Sequence, residues 1–254
     1  MNRWQKISLM CFLTIAVVSA SLIYILGTTS FSSPFDKPWH LSPSVHEDSL
    51  SLNYLNYYQI IDHKPLLQYY FDSSKTNVFI LVDAWGVPVQ EQLLSEEFAF
   101  FESASHSFAL HQRLANRNKY AERVELRNPP PNNLYLFGGD SLEYNRQKYI
   151  KELGFKKTLY CNKCSDSLML VKMDSVLTED SLKFIAWTTQ SSRTGDKDSL
   201  KKTLNLIASF ANMHSELQIV VQGSHRPILG SPEIRNAHKS HWVPVVILNK
   251  IEKD

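Results

Sequence analysis

The chain of 254 residues lacks the marks of several specialised classes of protein. Its net charge of +2 is too small to indicate a nucleic-acid partner. It contains no internal repeat and no low-complexity tract. Its apolar and charged fractions, 43% and 20%, are those of a globular protein that is neither disordered nor fibrous. A chain of this length can form one domain with a sizeable core.

Cysteine is also scarce, with three residues in all. Cys11 lies in an apolar segment, and the other two form the sequence Cys161-Asn-Lys-Cys164. A structural zinc site would need a second pair of ligands, and a redox CxxC pair normally opens a helix after a strand in a thioredoxin-like unit. Neither context is visible, so the spacing favours a local disulfide. A redox protein built on Cys161 and Cys164 is the weakest alternative.

Residues 7–26 contain no charged side chain. At about 1.5 Å of rise per residue, a helix of this length crosses a hydrocarbon core of roughly 30 Å. Arg3 and Lys6 precede it, so the positive-inside rule places residues 1–6 in the cytoplasm. The sequence therefore predicts a single-pass signal anchor in the cell membrane, with the main domain outside the cytoplasm, in the periplasm.

A cleaved signal peptide is the competing interpretation, because the sequence Val18-Ser-Ala20 resembles a cleavage site. The stretch remains apolar over residues 22–26, which favours an uncleaved anchor. Residues 27–74 follow as a predicted tether and lead-in, rich first in Ser, Thr, Pro and Phe and then in Tyr, Leu, Asn and Ser.

From Lys75 onward, apolar runs alternate with helical patterns. The predicted strands are residues 78–82, 133–137, 182–188, 218–222 and 243–248. The predicted helices are residues 90–102, 108–116, 141–153 and 197–214. Continuous Val, Ile, Leu and Phe runs suit parallel strands covered on both faces. The pattern predicts an α/β domain over residues 75–254, a three-layer sandwich with a mainly parallel central sheet, preceded by one N-terminal transmembrane helix.

Charge is unevenly spread within this domain. Residues 113–163 include eleven basic and five acidic side chains. An anionic partner is one explanation, but a solvated helix surface is favoured.

Two predicted strands are followed directly by residues whose side chains can bind a metal or take part in catalysis. Asp83 follows the first strand, and Ser224-His225 follows the strand at residues 218–222. Groups beyond the carboxyl ends of parallel strands meet at one edge of a sheet. Carboxylate and imidazole together suit a metal such as zinc, which can activate a hydroxyl nucleophile for attack on phosphorus or sulfur. The structural alternative is that Asp83 turns the chain and His225 is a hydrogen-bonded core residue.

Several segments between about residue 75 and residue 249 occur in the same order as in a known family of proteins. These segments are residues 78–86, 102–110, 134–139, 153–155, 219–226 and 242–247. In this order they resemble the alkaline phosphatase and sulfatase superfamily, and most of all its membrane-anchored phosphoethanolamine and phosphoglycerol transferases. The resemblance implies an α/β sandwich that binds zinc or manganese at the strand ends and forms a covalent intermediate on a hydroxyl or modified cysteine.

The resemblance also implies roles for particular residues. Asp83 is expected to be a metal ligand, and His225 is expected to be both a metal ligand and a catalytic residue. The nucleophile falls at Ser105 or Ser107, with Ser107 preferred because it directly precedes the predicted helix at residues 108–116. We expect Arg226 to balance charge on the substrate and His241 to contribute to substrate binding.

One departure from the family pattern bears on activity. Where the family has Asp-His-Gly, this chain has Ser224-His225-Arg226, so a neutral hydroxyl replaces a metal carboxylate. A hydroxyl is a poor ligand at neutral pH, so the divalent metal is expected to bind weakly or to be lost. Two functions follow: a transferase or hydrolase for phosphate or sulfate esters of an envelope lipid or glycan, or a pseudoenzyme that binds an envelope glycan, lipid or protein.

Overall fold

The computed structural model describes residues 49–61, 64–104, 106–113, 118–127, 133–138, 152–155, 157–159, 165–178, 181–192 and 195–249. Contacts between residues divide the chain into two compact units, Met1–Ser49 and Leu50–Asp254. The helices and strands given below belong to the second unit. The predicted anchor, Ser105, the Cys161 and Cys164 pair and most of the predicted helix at 141–153 lie outside the described residues. Within the described ranges, no helix has both the length and the apolar character needed to cross a bilayer.

Helices and strands follow one another along the second unit, and β4 and β5 are successive strands among the described residues. The strands are β1 (Gln59–Ile61), β2 (Asn77–Val82), β3 (His106–Gln112), β4 (Asn133–Gly138), β5 (Lys157–Leu159), β6 (Lys183–Thr188), β7 (Gln218–Gly223) and β8 (Trp242–Leu248). The α-helices are α1 (Leu52–Tyr57), α2 (Leu67–Tyr70), α3 (Glu91–Phe98), α4 (Asn118–Glu125), α5 (Asp166–Leu177), α6 (Lys197–Met213) and α7 (Pro232–Asn236). A 3₁₀ turn at Ala99–Phe101 extends α3.

The strands form one eight-stranded sheet in the order β1-β3-β8-β7-β2-β6-β4-β5. β8 is antiparallel to both of its neighbours, and every other pairing is parallel. β2 lies between β7 and β6, and all six of its residues are buried. The prediction of a mainly parallel sheet is therefore confirmed.

Apolar side chains cover both faces of the sheet. On one face, Val78, Ile80 and Val82 belong to a core with residues of α3, α5 and α6. On the other, Phe79 and Leu81 belong to a core with residues of α2 and α4. This alternation along β2 follows from the period of two of a strand, and it confirms the predicted α/β sandwich.

One predicted helix is wrong. Residues 106–112 form β3 instead of the start of a helix at 108–116, and β3 pairs with both β1 and β8. The run Phe108-Ala-Leu110 is too short for its periodicity to distinguish a strand from a helix. Pairing on both sides satisfies its main-chain hydrogen-bonding groups, and this favours the strand.

Candidate functional site

Asp83 and His225 meet at the carboxyl edge of the sheet. The register of β2 with β7 places Val82 opposite Gly223, so the residues just beyond both strands come together. His225 Nε2 lies 3.4 Å from Asp83 Oδ1. Both residues are buried, with 2% of Asp83 and 6% of His225 exposed. The sequence predicts both residues at one edge of the sheet, and the structure brings them into contact.

The imidazole of His225 has a defined orientation. Its Nδ1 lies 2.6 Å from the carbonyl oxygen of Arg226, and a nitrogen can bond a carbonyl only by donating its proton. Nε2 is therefore the nitrogen that faces Asp83. A lone pair on Nε2 would face a carboxylate oxygen unfavourably, so a proton on Nε2 or a cation bound by both groups would stabilise this arrangement.

Three buried hydroxyls hold the main chain around Asp83. Thr189 Oγ1 accepts a hydrogen bond from Asp83 N over 2.9 Å, and Ser192 Oγ donates to the Asp83 carbonyl oxygen. Ser224 Oγ accepts from Ala84 N over 3.3 Å. All three residues are fully buried. These hydroxyls therefore position the turn after β2, because each of them is already bonded to its main chain.

The turn after Asp83 is conformationally demanding. Ala84 has a φ of 56°, in the left-handed region that residues with a Cβ rarely adopt. A Cβ on Gly223 would lie 1.8 Å from the carbonyl oxygen of Trp85, and one on Gly86 would lie 2.7 Å from the Cα of Arg226. Only glycine fits at these two positions. A strained residue beside a buried acid is typical of a site kept for function.

Part of the chain between β7 and β8, residues 224–241, packs on the segment that follows Asp83, and we refer to residues 224–241 as the cover. Pro88 and His238 form an isolated antiparallel bridge. Val89 N donates to the carbonyl oxygen of Ala237, and Lys239 N donates to that of Val87, each over 2.8 Å. The segment after β7 thus folds back on the segment after β2, at the edge of the sheet where Asp83 lies.

The cover carries basic side chains. Burial lowers the pKa of His238, and the neighbouring charges of Lys197 and Arg226 lower it further. His241 lies at the same edge, at the start of β8, where its Nδ1 lies 3.2 Å from the carbonyl oxygen of Arg113. Arg226 is half-buried. The structure thus places Arg226 beside the pair, and His241 on the same edge.

Ser107 lies near the opposite edge of the sheet, where the parallel strands begin. The register aligns Ser107 with Ile247 and, through β7, with Phe79, four residues before Asp83. Ser107 and Asp83 are separated by about 13 Å along the strands and about 14 Å across them. The structure therefore does not bring Ser107 to the pair, and its predicted position at the start of a helix is wrong. Ser105, the other predicted nucleophile, lies outside the described residues.

The spacing of Asp83 and His225 suits two ligands of one ion. A tetrahedral zinc ion bound to nitrogen and oxygen holds its donors about 3.4 Å apart, which matches the observed distance. A zinc site takes three or four protein ligands, however. The part of the chain that the structure describes contains no group of three His, Cys, Asp or Glu residues able to hold a metal. The described residues therefore supply an incomplete site.

A buried polar cluster that was not predicted from the sequence lies on the α4 side of the sheet. Arg113 Nη2 lies 3.3 Å from Glu125 Oε1, and Glu125 Oε2 accepts from Leu66 N over 2.7 Å. Burial raises the pKa of Glu125 against the opposing effect of Arg113, and it lowers the pKa of Arg113 to about 10. Gln222 and the ring of His111 bond each other beside this pair.

This cluster corrects the interpretation of residues 113–163 as a solvated surface for three of its charged residues. Arg113, Glu122 and Glu125 are buried, whereas Arg123 and Arg127 are exposed. The spacing of Glu122 and Glu125 on one helix, next to apolar Ala121 and Leu126, was the available signal. The cluster ties α4 to the strand ends.

Comparison with known proteins identifies the class to which this fold belongs. No family model and no curated protein matches the sequence. Among solved structures, the lipoteichoic acid synthase LtaP from Listeria monocytogenes aligns with a TM-score of 0.51 and 11% identity, over 70% of this chain and 66% of that one. A protein in the alkaline phosphatase superfamily from Vibrio parahaemolyticus aligns with a TM-score of 0.52 and 14% identity, over 70% and 61%.

The phosphoglycerol transferase GacH from Streptococcus pyogenes, in complex with sn-glycerol-1-phosphate, aligns with a TM-score of 0.48 and 12% identity, over 71% and 70%. The chain has the fold of the alkaline phosphatase superfamily, as the sequence resemblance predicted. It covers less than two thirds of the length of the first two structures. At these identities the likeness concerns the fold.

Proposed function

We propose that this chain is a membrane-anchored, extracytoplasmic protein derived from enzymes that act on phosphate or sulfate esters of envelope lipids or glycans. We propose further that its domain no longer catalyses that reaction. It binds a phosphate-bearing head group of an envelope lipid or glycan instead.

The main support for this proposal is that the hydroxyls beside Asp83 are buried and bonded to the main chain. A nucleophile must be exposed enough to reach its substrate. Thr189, Ser192 and Ser224 are buried and bonded to the main chain at Asp83 and Ala84. Ser107 is at the far edge of the sheet. Within the described ranges, none of these four hydroxyls is placed to attack a substrate held at Asp83 and His225.

The charge of the cover supports an anionic ligand. Arg226 follows His225 directly, and Lys197 and Arg226 are close enough to His238 to lower its pKa. Cations at this edge attract phosphate, and arginine binds it with paired N–H donors. The carboxyl edge is also where ligands bind in open α/β sheets.

A metal-dependent transferase or hydrolase is the second candidate. The spacing of 3.4 Å between His225 Nε2 and Asp83 Oδ1 favours it, because one ion fits between two such donors. In this case a third ligand and a nucleophile come from outside the described residues.

Metal content and turnover separate the two candidates. The full chain is purified in detergent, its zinc and manganese are measured by mass spectrometry, and hydrolysis of bis-p-nitrophenyl phosphate and p-nitrophenyl sulfate is followed with either metal added. We expect less than stoichiometric metal and no turnover above that of His225→Ala. One bound metal per chain, lost in His225→Ala together with turnover, would overturn the non-catalytic proposal.

Binding is tested by isothermal titration with sn-glycerol 1-phosphate and phosphoethanolamine. We expect saturable binding of at least one probe, weakened in Arg226→Gln. Lys172→Gln, on α5, is the matched control for loss of one positive charge. Equal loss in both variants, or no binding to the wild type, would contradict the proposed ligand class.

A further inference from the structure

The two ring nitrogens of His238, in the cover, have different roles. Nδ1 lies 2.8 Å from the carbonyl oxygen of Ile234, and a nitrogen can bond a carbonyl only by donating its proton. Burial lowers the pKa of His238, so the neutral ring predominates at pH 7 and its Nε2 has a lone pair. Within the described ranges, the bond to Ile234 is the only hydrogen bond of this ring. Nε2 is therefore an acceptor that a donor group of a ligand can use.

The position of His238 is fixed by contacts with two other segments of the chain. Its main chain forms the bridge with Pro88, and its ring bonds Ile234, on α7. A Cβ on Gly195 would lie 3.4 Å from Cγ2 of Ile234 and 2.4 Å from Cβ of Pro227. The segments after β7, β2 and β6, which are three neighbouring strands, thus meet around His238.

Two cations accompany His238 at this meeting point. Lys197 begins α6, two residues after Gly195, and Arg226 directly precedes Pro227. Both lie close enough to His238 for their charges to act on its ring. Lys197 is exposed and Arg226 is half-buried, so both are accessible to a ligand from solvent. We refer to Lys197, Arg226 and His238 as the basic cluster.

The acids around the basic cluster do not cancel its charge at the ring. Asp196 caps α6 by accepting from the first turn of that helix, and Glu97 accepts from a buried indole. Asp83 is buried against an imidazole. Asp198 follows Lys197 and is exposed, so water screens its charge. The charges that shift the pKa of the neighbouring imidazole in the basic cluster are accordingly those of its two cations.

We propose that the basic cluster selects a polyol phosphate, whose polar end is an uncharged hydroxyl, over a phosphate that ends in an amine. Arg226 and Lys197 attract the phosphate, and a hydroxyl of the ligand donates to Nε2 of His238. An ammonium group can also donate to Nε2, but the two cations repel it. The inference rests on the phosphate ligand of the proposed function, and it defines which class of phosphate that ligand is.

Three small phosphates that differ in one group test this selection. They are hydroxyethyl phosphate, phosphoethanolamine and ethyl phosphate, and their binding to the full chain in detergent is measured by isothermal titration at neutral pH. We expect hydroxyethyl phosphate to bind about two- to tenfold more tightly than either of the others, which is the effect of one hydrogen bond to a neutral acceptor. Equal affinity for hydroxyethyl and ethyl phosphate, or tighter binding of phosphoethanolamine, would overturn the proposal.

Substitution of His238 tests whether its ring is responsible. In His238→Phe the affinity for hydroxyethyl phosphate should fall to that for ethyl phosphate, and ethyl phosphate should bind as it does to the wild type. His214→Phe is the matched control, because His214 is a half-buried histidine just after the other end of α6, and this variant should keep the preference. A preference that persists in His238→Phe would refute the role of the ring. The comparison on the wild type needs no variant, so it decides the selection even where His238→Phe does not fold.

The same titration distinguishes a lipid from a glycan as the source of the ligand. The probes are dihexanoyl phosphatidylglycerol and sn-glycerol 1-phosphate. Weaker binding of the tighter probe in His238→Phe supports the inference and identifies the source, and unchanged binding of both contradicts it. If no phosphate binds to the wild type, the proposed function fails together with this inference, whereas binding without any preference refutes the inference alone.

Discussion

The indole Nε1 of Trp85 donates a hydrogen bond of 2.8 Å to Oε2 of Glu97. Trp85 is fully buried two residues after Asp83, and Glu97 lies on α3. Burial raises the pKa of Glu97 from 4.5 to about 7, while the bond from Trp85 and the charge of Lys197 oppose the rise. A half-buried acid that contacts Trp85 thus changes its protonation state near neutral pH.

The stability of the domain is therefore expected to depend on the protonation of Glu97. Because the pKa is higher in the folded chain, the bound proton stabilises the fold, fully below pH 4.5, and this stabilisation is lost as the pH rises through about 7. In Glu97→Gln the amide oxygen still accepts from Trp85 and no charge forms. Relative to this variant, the wild type should lose roughly 1–2 kcal/mol of unfolding free energy between about pH 5 and pH 8.

Urea unfolding at each pH measures this difference. Glu96→Gln, at the exposed neighbouring position, is the control and should follow the wild type. Parallel pH profiles for the wild type and Glu97→Gln would show that Glu97 does not titrate in this range.

Asp166 is expected to stabilise the segment after β6 that holds Asp83 in place. Its carboxylate is buried and accepts from Gln190 N, Ser191 N and Thr203 Oγ1 over 3.0–3.2 Å. Asp166→Ala leaves these donors without their acceptor, and the expected loss is roughly 2–4 kcal/mol of unfolding free energy. Asp166→Asn keeps one oxygen and should lose less.

Chemical denaturation of these variants is compared with Asp198→Ala. Asp198 is exposed in the first turn of α6, so its removal should change stability by less than about 1 kcal/mol. An effect of Asp166→Ala no larger than that of Asp198→Ala would mean that the segment is held by other contacts.

The parts of the fold that could be predicted are those whose signal lies in a short stretch of consecutive residues. β2 contains a run of five apolar residues and β7 a run of three, and both strands were predicted within one residue of their observed bounds. The helix α5 was missed although its signals were present. Ser165 caps it, and Met169, Met173 and Val176 recur at helical spacing on its buried face.

The remainder of the site depends on pairing across the sheet, which no local pattern contains. The meeting of Asp83 and His225 could be predicted because both follow strands directly. The bond from Asp83 N to Thr189 requires the register of β2 with β6, and the placement of Ser107 requires β3 to be a strand paired with β8. A partner a hundred residues away is set by the register, and the register is set by the whole sheet.

The left-handed conformation of Ala84 predicts that glycine is the better residue there. An alanine at a φ of 56° has about 1 kcal/mol of strain that glycine avoids. Ala84→Gly should therefore raise the free energy of unfolding by roughly 0.5–1 kcal/mol. Ala121→Gly, inside α4, should instead lower it by about 1 kcal/mol, since glycine destabilises a helix interior. Thermal unfolding of both variants tests whether Ala84→Gly is more stable and Ala121→Gly less stable than the wild type. A loss of stability in Ala84→Gly would show that Ala84 is not strained.

Replacing Ser224 by an acid is expected to create a requirement for metal. Ser224 is fully buried beside Asp83, and its hydroxyl accepts from Ala84 N. Without an ion, Ser224→Asp places a second carboxylate in a dry site, and we expect a loss of roughly 2–4 kcal/mol of unfolding free energy. With the carboxylates of residues 83 and 224 and the imidazole of His225, the site has three ligands, so added zinc should recover much of this loss.

Thermal unfolding with and without zinc measures the recovery, and Ser224→Asn is the matched control. The amide has nearly the shape of the carboxylate but is a weak ligand for zinc, so Ser224→Asn should be destabilised and should not recover. The wild type should respond little to zinc, because its described residues supply only two ligands. If zinc stabilises the wild type as much as Ser224→Asp, the natural site is already complete, and the metal-dependent enzyme becomes the better account of this protein.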